Sequence, residues 1–392
     1  MFRKIDPSIV WTTGLLSLLG IMMIFSTAGY SIMTRQIIWL IFSFVVALLF
    51  SRISPRIWLN ISPAIYTVAV LLTLAILFKG DVYPRRWIRI GDVSIQPSEF
   101  TKFATVLMLA YYLAGKKRLS NFSDMVVPTL IAGVPALLVF LEPDLGAAQI
   151  FLPILIVMSY WAGMPGWKIL ILFSPIISAI ASFSIYAWVA YMVILMIFLY
   201  FRRQLTDLVY GFVSNTLMGL IMPLVWNSLK IYQQKRILSF FSPWIDPRGM
   251  SWQIIQSKIA IGSGGIFGKG FLSGTQKKLE FLPERHTDFI FSCLGEEFGL
   301  FGIIIVLTLY VYLMYRLLTL AKETRNRFSS ILVSGFMTWI AYQTFINIGV
   351  TMGLLPVTGV PLPFISYGGS ALLSCFMAIG ICLSISRVKM SY

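Results

Sequence analysis

Charge is what this sequence has least of. Of its 392 residues only 12% are Asp, Glu, Lys or Arg, about half the share a soluble domain carries. Too few charged side chains remain to cover a water-exposed surface, so a soluble globular fold is excluded. Acids are scarcer still, 15 against 31 Lys and Arg, for a net charge of +16. One histidine, His286, argues against His-based metal sites and histidine-dependent triads. The three cysteines, Cys293, Cys375 and Cys382, lie inside apolar runs without disulfide or metal-finger spacing. The basic residues are scattered between apolar stretches. That speaks against nucleic acid and for an anionic partner, either membrane lipid headgroups or a phosphorylated substrate.

What the chain has instead is apolar length, with 58% hydrophobic residues. A spanning helix takes about 20 such residues. Candidate spans are 10–29, 36–51, 57–78, 98–114, 125–141, 146–163, 167–184, 186–201, 207–228, 289–315, 328–352 and 366–386. The stretch 167–201 also reads as one long or re-entrant element. The expectation is therefore an all-α polytopic membrane protein, one domain over 1–392 holding a bundle of ten to twelve transmembrane helices. The first run continues in the style of the rest and reads as a span, not a signal peptide. An even count puts both termini on one side. The tight basic clusters Lys116-Lys117-Arg118, Arg202-Arg203 and Arg325 to Arg327 then share that side, which the positive-inside rule makes cytoplasmic. Two long loops, 79–97 and 229–288, become extracytoplasmic, and both are basic with embedded acids.

Several patches carry polar chemistry. Asp288 stands at the mouth of the span 289–315, as a helix N-cap or as a chemical base. Glu296 and Glu297 lie deeper in that apolar helix, where an ionised group costs roughly 2.5 kcal/mol or more. They require pairing, protonation or a wet cavity. Arg85, Arg86 and Arg89 around Trp87 suit a phosphate or pyrophosphate beside an apolar tail, or an interfacial belt. Pro97-Ser98 opens a helix that sets Glu99 and Lys102 on one face. Lys102 is expected to pair with a buried acid, Glu296 or Glu297. Glu142-Pro143-Asp144-Leu145-Gly146 is an acidic turn between spans. From Gly353 to Gly369, a run including Pro356, Pro361, Pro363 and Ser366, broken backbone at membrane depth suggests a pocket wall or a hinge. Trp252, Ile255 and Ile259 share one face of a short amphipathic helix suited to the outer leaflet, and the glycines at 262, 264, 265, 268 and 270 read as flexible.

Three stretches, Ile254 to Gly265, Lys278 to Asp288 and Gly359 to Ser370, resemble the SEDS family of shape, elongation, division and sporulation proteins. Arg86-Trp87, Gln96 to Glu99 and Pro143 to Gly146 fit the same family, and its elongation branch is nearest. The chain departs from the family between Trp167 and Leu229, where room for three spans replaces the usual one. The resemblance implies a peptidoglycan glycosyltransferase that polymerises lipid II at the outer face of the bacterial cytoplasmic membrane, alongside a class B penicillin-binding protein. It implies Asp288 as general base of an inverting transfer and Glu280 as a secondary acid. Arg86, Trp87, Lys102, Asp144 and Ser366 are the candidate substrate contacts, with Mg2+ as a cation that outer carboxylates such as Asp144 could share. The competing reading is a flippase for lipid-linked precursors. A flippase needs polar groups through its full depth, whereas here they crowd the outer third. Loop 229–288 is expected to bend at its glycines, with Pro283 stiffening the approach to Asp288, so that a partner can order it.

Overall fold

The computed structural model describes residues 6–78, 86–91, 93–116, 119, 121, 123–202, 205–228, 234, 250–275 and 284–389. Helix starts follow local chemistry. Helix α1 (Pro7–Ala28) has Pro at its first position and Asp6 as cap, whose carboxylate accepts from Ser8 N at 3.0 Å. Only Gly29, at φ 80°, separates it from α2 (Tyr30–Arg52). Prolines also open α3 (Pro55–Leu77) and α4 (Pro97–Gly115). Between these two, β1 (Ile88–Ile90) and β2 (Val93–Ile95) form a short antiparallel hairpin, with Ile88 opposite Ile95. The chain continues through α5 (Ser123–Leu141), the single turn α6 (Leu145–Ala148), α7 (Phe151–Trp161), α8 (Gly166–Ala181), α9 (Ile185–Arg202) and α10 (Leu205–Ser228). It ends with α11 (Met250–Ser263), α12 (Ile290–Glu323), α13 (Arg327–Thr351) and α14 (Gly369–Lys389).

Eight of these helices, α1, α2, α3, α5, α10, α12, α13 and α14, are long and apolar enough to cross a membrane. Helix α4, which carries Glu99 and Lys102, and the shorter apolar α6–α7, α8 and α9 supply counterparts for the remaining expected spans. The doubtful stretch 167–201 is two helices, broken at a turn around Ser182 to Ser184. The apolar stretches of α13 and α14 are 72% and 78% buried, against 17% for α2 and α10, so the first pair forms the core and the second faces lipid. Small residues allow close crossings, as in other membrane bundles. A Cβ on Gly380 of α14 would sit 2.7 Å from the Ala47 carbonyl of α2, and one on Gly369 would strike the Trp39 ring.

Helices α8, α9 and α10 pack chiefly on one another around Asn215. Its amide nitrogen donates to Ser174 Oγ and Gly211 O, both at 2.7 Å, while Tyr191 donates to its oxygen at 3.0 Å. The start of α1 and the last turns of α14 meet at one end of the bundle, where Asp6 N donates to Ser386 Oγ at 3.2 Å and the Asp6 carboxylate pairs with Arg316 at 2.6 Å. The β-hairpin marks the opposite end.

Candidate functional site

At the hairpin end, α12 is entered through a tight turn. The N–H groups of Thr287, Asp288 and Phe289 all donate to the carbonyl of Glu284, at 3.2, 3.2 and 3.3 Å. The helix begins at Ile290, with Phe289 in the cap position and no capping side chain. Asp288 is therefore not the N-cap, and its half-buried carboxylate is left to other partners. The backbone around it is held from two sides. Asn347 of α13 donates from one amide nitrogen to Asp288 O and to Val360 O, each at 2.9 Å. Ser366 Oγ donates to Thr287 O at 2.5 Å and accepts from Leu362 N at 2.8 Å, while Tyr367 N donates to His286 O at 2.9 Å. Burial is the main influence on His286 and pushes its imidazole below the ordinary value; Glu284 opposes this and Arg285 reinforces it.

The segment 353–368 is the irregular wall that the sequence suggested. Gln36 of α2 satisfies part of its freed backbone, accepting from Gly368 N at 3.3 Å and donating to Ser366 O at 3.4 Å. Gly359 sits at φ 74°, and a Cβ there would lie 3.5 Å from Asp288 Oδ2, so its bare backbone faces the carboxylate. Ser366 works here as a strut, with its hydroxyl engaged on both sides.

A second polar group shares that wall. Arg86 donates from Nε to Glu142 O at 3.2 Å and from its terminal nitrogen to Pro143 O, clamping the acidic turn. Asp144 caps α6 through Ala147 N at 3.1 Å and accepts from Gln96 Nε2 at 2.9 Å. Glu142 is buried, and among the described residues neither of its carboxylate oxygens has a hydrogen-bond partner. Burial first, then the neighbouring Asp144, pushes it up to about 8 against the pull of Arg86. Lys102 pairs with Glu99 at 2.7 Å and lies over the Trp339 ring, 5.5 Å from its centroid. Gln96, Glu99, Lys102, Asp144 and Gln343 close a cavity of about 30 Å3 against Gly359, Val360 and Pro361, room for about one water. The backbone at Gly359 thus borders both the Lys102 cavity and the Asp288 carboxylate. Trp87, 43% exposed beside Arg86, suits the interfacial belt.

Two expectations are corrected. Lys102 does not pair with Glu296 or Glu297. Glu296 is fully buried and accepts from Lys269 Nζ at 2.8 Å and from Thr275 N and Oγ1 at 2.7 and 2.8 Å, while Glu297 accepts from Ser26. The i,i+3 spacing on α4 puts Glu99 within reach of Lys102 before either distant acid. The glycine run after α11 is also no loose hinge. It packs against a kink of α12 at Gly299 (φ 63°), exchanging backbone hydrogen bonds such as Lys269 N to Glu296 O and Leu300 N to Gly265 O. A Cβ on Gly264 would lie 2.0 Å from the Gly295 carbonyl. Helix α11 itself turns Gln256, Ser257 and Ala260 inward and leaves Trp252, Ile255 and Ile259 exposed, as its amphipathic pattern suggested. Glu280 and Pro283 lie outside the described residues.

Sequence reasoning did not single out Asn347 or Gln36. Their signal was an amide in an otherwise apolar helix, which must face protein and not lipid.

The profile of the FtsW, RodA and SpoVE family, described as cell cycle proteins, matches residues 7–191 and 184–391. The chain belongs to this family. Among its relatives, the peptidoglycan glycosyltransferase MrdB of Escherichia coli is 34% identical over 386 residues, 97% of this chain and 93% of that protein. The peptidoglycan glycosyltransferase RodA of Treponema pallidum is 32% identical, with 97% of each chain covered. A solved structure from work on structural coordination of polymerization and crosslinking by a peptidoglycan synthase complex superposes with a TM-score of 0.76 at 29% identity, covering 99% of both chains. The crystal structure of Thermus thermophilus RodA superposes with a TM-score of 0.66 at 25% identity, covering 99% of this chain and 98% of that one. This FtsW, RodA and SpoVE family member is a polytopic, multi-pass membrane protein.

Proposed function

We propose that this protein is a peptidoglycan glycosyltransferase that polymerises lipid II during cell elongation, with Asp288 as general base and a class B penicillin-binding protein as partner. Full-length similarity to named glycosyltransferases supports the activity. The observation that carries the mechanism is the bracing of Asp288, whose backbone Asn347 and the Ser366 strut fix from both sides. Pre-set geometry of this kind is what a base needs to meet a hydroxyl proton.

Transfer proceeds with the acceptor sugar hydroxyl giving its proton to Asp288 while its oxygen attacks the anomeric carbon of the donor. The bond from that carbon to the pyrophosphate breaks, with inversion, and the lipid pyrophosphate leaves carrying the electron pair. Arg86 is the cation for the leaving group: two of its five N–H donors hold the turn, and the other three, which meet no acceptor among the described residues, suit phosphate oxygens. Trp87 supplies an apolar surface for the lipid tail. Lys102, buried against Glu99, tunes the wall and makes no direct contact with pyrophosphate. Each carboxylate oxygen of Asp144 already accepts one hydrogen bond, which leaves a lone pair on each for the Mg2+ suggested by the sequence, shared with substrate phosphate oxygens. Among the described residues no three His, Cys, Asp or Glu side chains cluster as ligands, so no step is assigned to a protein-held cation.

The hairpin end faces outward in this reading, and both termini are cytoplasmic. The deciding experiment gives the purified full chain lipid II, with and without its penicillin-binding protein, and follows glycan polymer on gels. Polymer in the partnered reaction is the expected result. Its absence, with transport of lipid II across vesicles instead, would overturn the enzyme reading in favour of a flippase.

A further inference from the structure

At the end of the bundle opposite Asp288, α3, α4 and α13 leave a cavity of about 560 Å3. That size suits a small-molecule or headgroup site. Leu59 of α3 forms one wall, Tyr111, Tyr112 and Lys116 at the end of α4 a second, and Arg327 and Phe328 at the start of α13 a third. None of the described lining residues is acidic, so the two cations set the sign of what enters. Both are steadied at the rim. The Lys116 ammonium lies 5.6 Å from the centroid of the Tyr112 ring, and Arg327 donates to Ala162 O at 2.9 Å. The first turn of α13 adds the positive end of its dipole.

The rest of the wall is apolar or phenolic. Phe328 is buried, Leu59 is partly covered, and Tyr111 is exposed on the flank of α4. All three helices end here, so the cavity lies at the depth where spanning helices leave the hydrocarbon. A small soluble anion would satisfy the charge and leave the apolar wall wet. An anionic head joined to an apolar tail satisfies both.

We propose that this cavity binds an anionic phospholipid, with its phosphodiester between Lys116 and Arg327 and an acyl chain along Leu59 and Tyr111. Basic recesses between spanning helices are suited to such headgroups. The site is remote from Asp288 and independent of the catalytic reading. A lipid held here ties α4 to α13, the two helices that carry Lys102 and Asn347 at the other end.

Native mass spectrometry of the full chain in detergent, titrated with phosphatidylglycerol and with phosphatidylcholine, tests the proposal. One phosphatidylglycerol should be retained with about tenfold or greater preference, since each nearby cation contributes about 1 kcal/mol. The double substitution Lys116→Gln with Arg327→Gln should abolish the preference. Gly115→Trp keeps both charges and lines the same cavity; nothing lies within 4 Å of its added Cβ, so it should fold and block the site. Equal retention of the two lipids, or a preference surviving in Gly115→Trp, would overturn the proposal. So would displacement of phosphatidylglycerol by millimolar inorganic phosphate, which would mark a site for a soluble phosphate compound instead.

Discussion

Asp288 owes its position to neighbours that make no contact with substrate in this mechanism. Removing its charge should be far more costly than removing its bulk: Asp288→Asn is expected to insert normally and lose about 10²-fold or more in polymerisation. Near-normal polymer from that variant would end its assignment as base. Asn347→Leu tests the bracing. It leaves the half-buried carbonyl of Asp288 and the buried carbonyl of Val360 without their shared donor, at about 1–3 kcal/mol for the buried one. Because the loss is one of geometry, kcat should fall about tenfold with KM little changed, and a rise in KM alone would contradict the bracing role. Glu142 gives a pH signature. Its folded value of about 8 stands above the ordinary 4.5 of an exposed glutamate, so the folded protein binds the extra proton and stability falls as pH rises between those values. Glu142→Gln stays neutral throughout. It should match the wild type in thermal melts near pH 4.5 and exceed it increasingly towards pH 8. Parallel melting curves across that range would mean that Glu142 ionises without penalty.

Among the elements, the contact between the glycine run and α12 separates what sequence could show from what it could not. Apolar length placed the membrane helices and Pro97 the start of α4, because each of these acts within one segment. The resemblance motifs placed Asp288, Arg86, Asp144 and Ser366 near one end. Pairing across elements was less legible. Lys102 has three acids within plausible reach in sequence terms, and only the fold shows that Lys269 and Thr275 already hold Glu296. Glycine is ambiguous in the same way, since a flexible hinge and a close backbone crossing both require it. The two roles predict opposite outcomes. A Cβ added to Gly262 would meet nothing within 4 Å, whereas one on Gly264 would meet the Gly295 carbonyl at 2.0 Å. Gly264→Ala should therefore destabilise by ~3 kcal/mol or more and lower basal and partner-stimulated polymerisation alike, while Gly262→Ala leaves both unchanged. If Gly264→Ala melts like the wild type and loses only the stimulation by the partner, the hinge reading stands and the packing account fails.

For the whole molecule, the decisive question is which end faces out. The structure brings the start of α1 and the end of α14 together through Asp6, Arg316 and Ser386, and sets Asp288 at the other end. An even number of crossings is consistent with this. The positive-inside rule gives the direction: Lys116, Arg325 and Arg327 all lie at the end that holds the termini, next to short connections. The proposed polymerisation of lipid II into a wall requires Asp288 on the outer face, and the positive-inside rule predicts that same orientation. The three native cysteines are buried, which leaves introduced cysteines as clean reporters. Ser273 lies exposed on the glycine-rich segment at the Asp288 end, and Arg325 lies exposed between α12 and α13 at the other. A membrane-impermeant maleimide applied to intact spheroplasts should label Ser273→Cys at once and Arg325→Cys only after permeabilisation. The reverse pattern would put the base in the cytoplasm, where it could not polymerise an outward-facing substrate, and the proposed reaction would fall with the orientation.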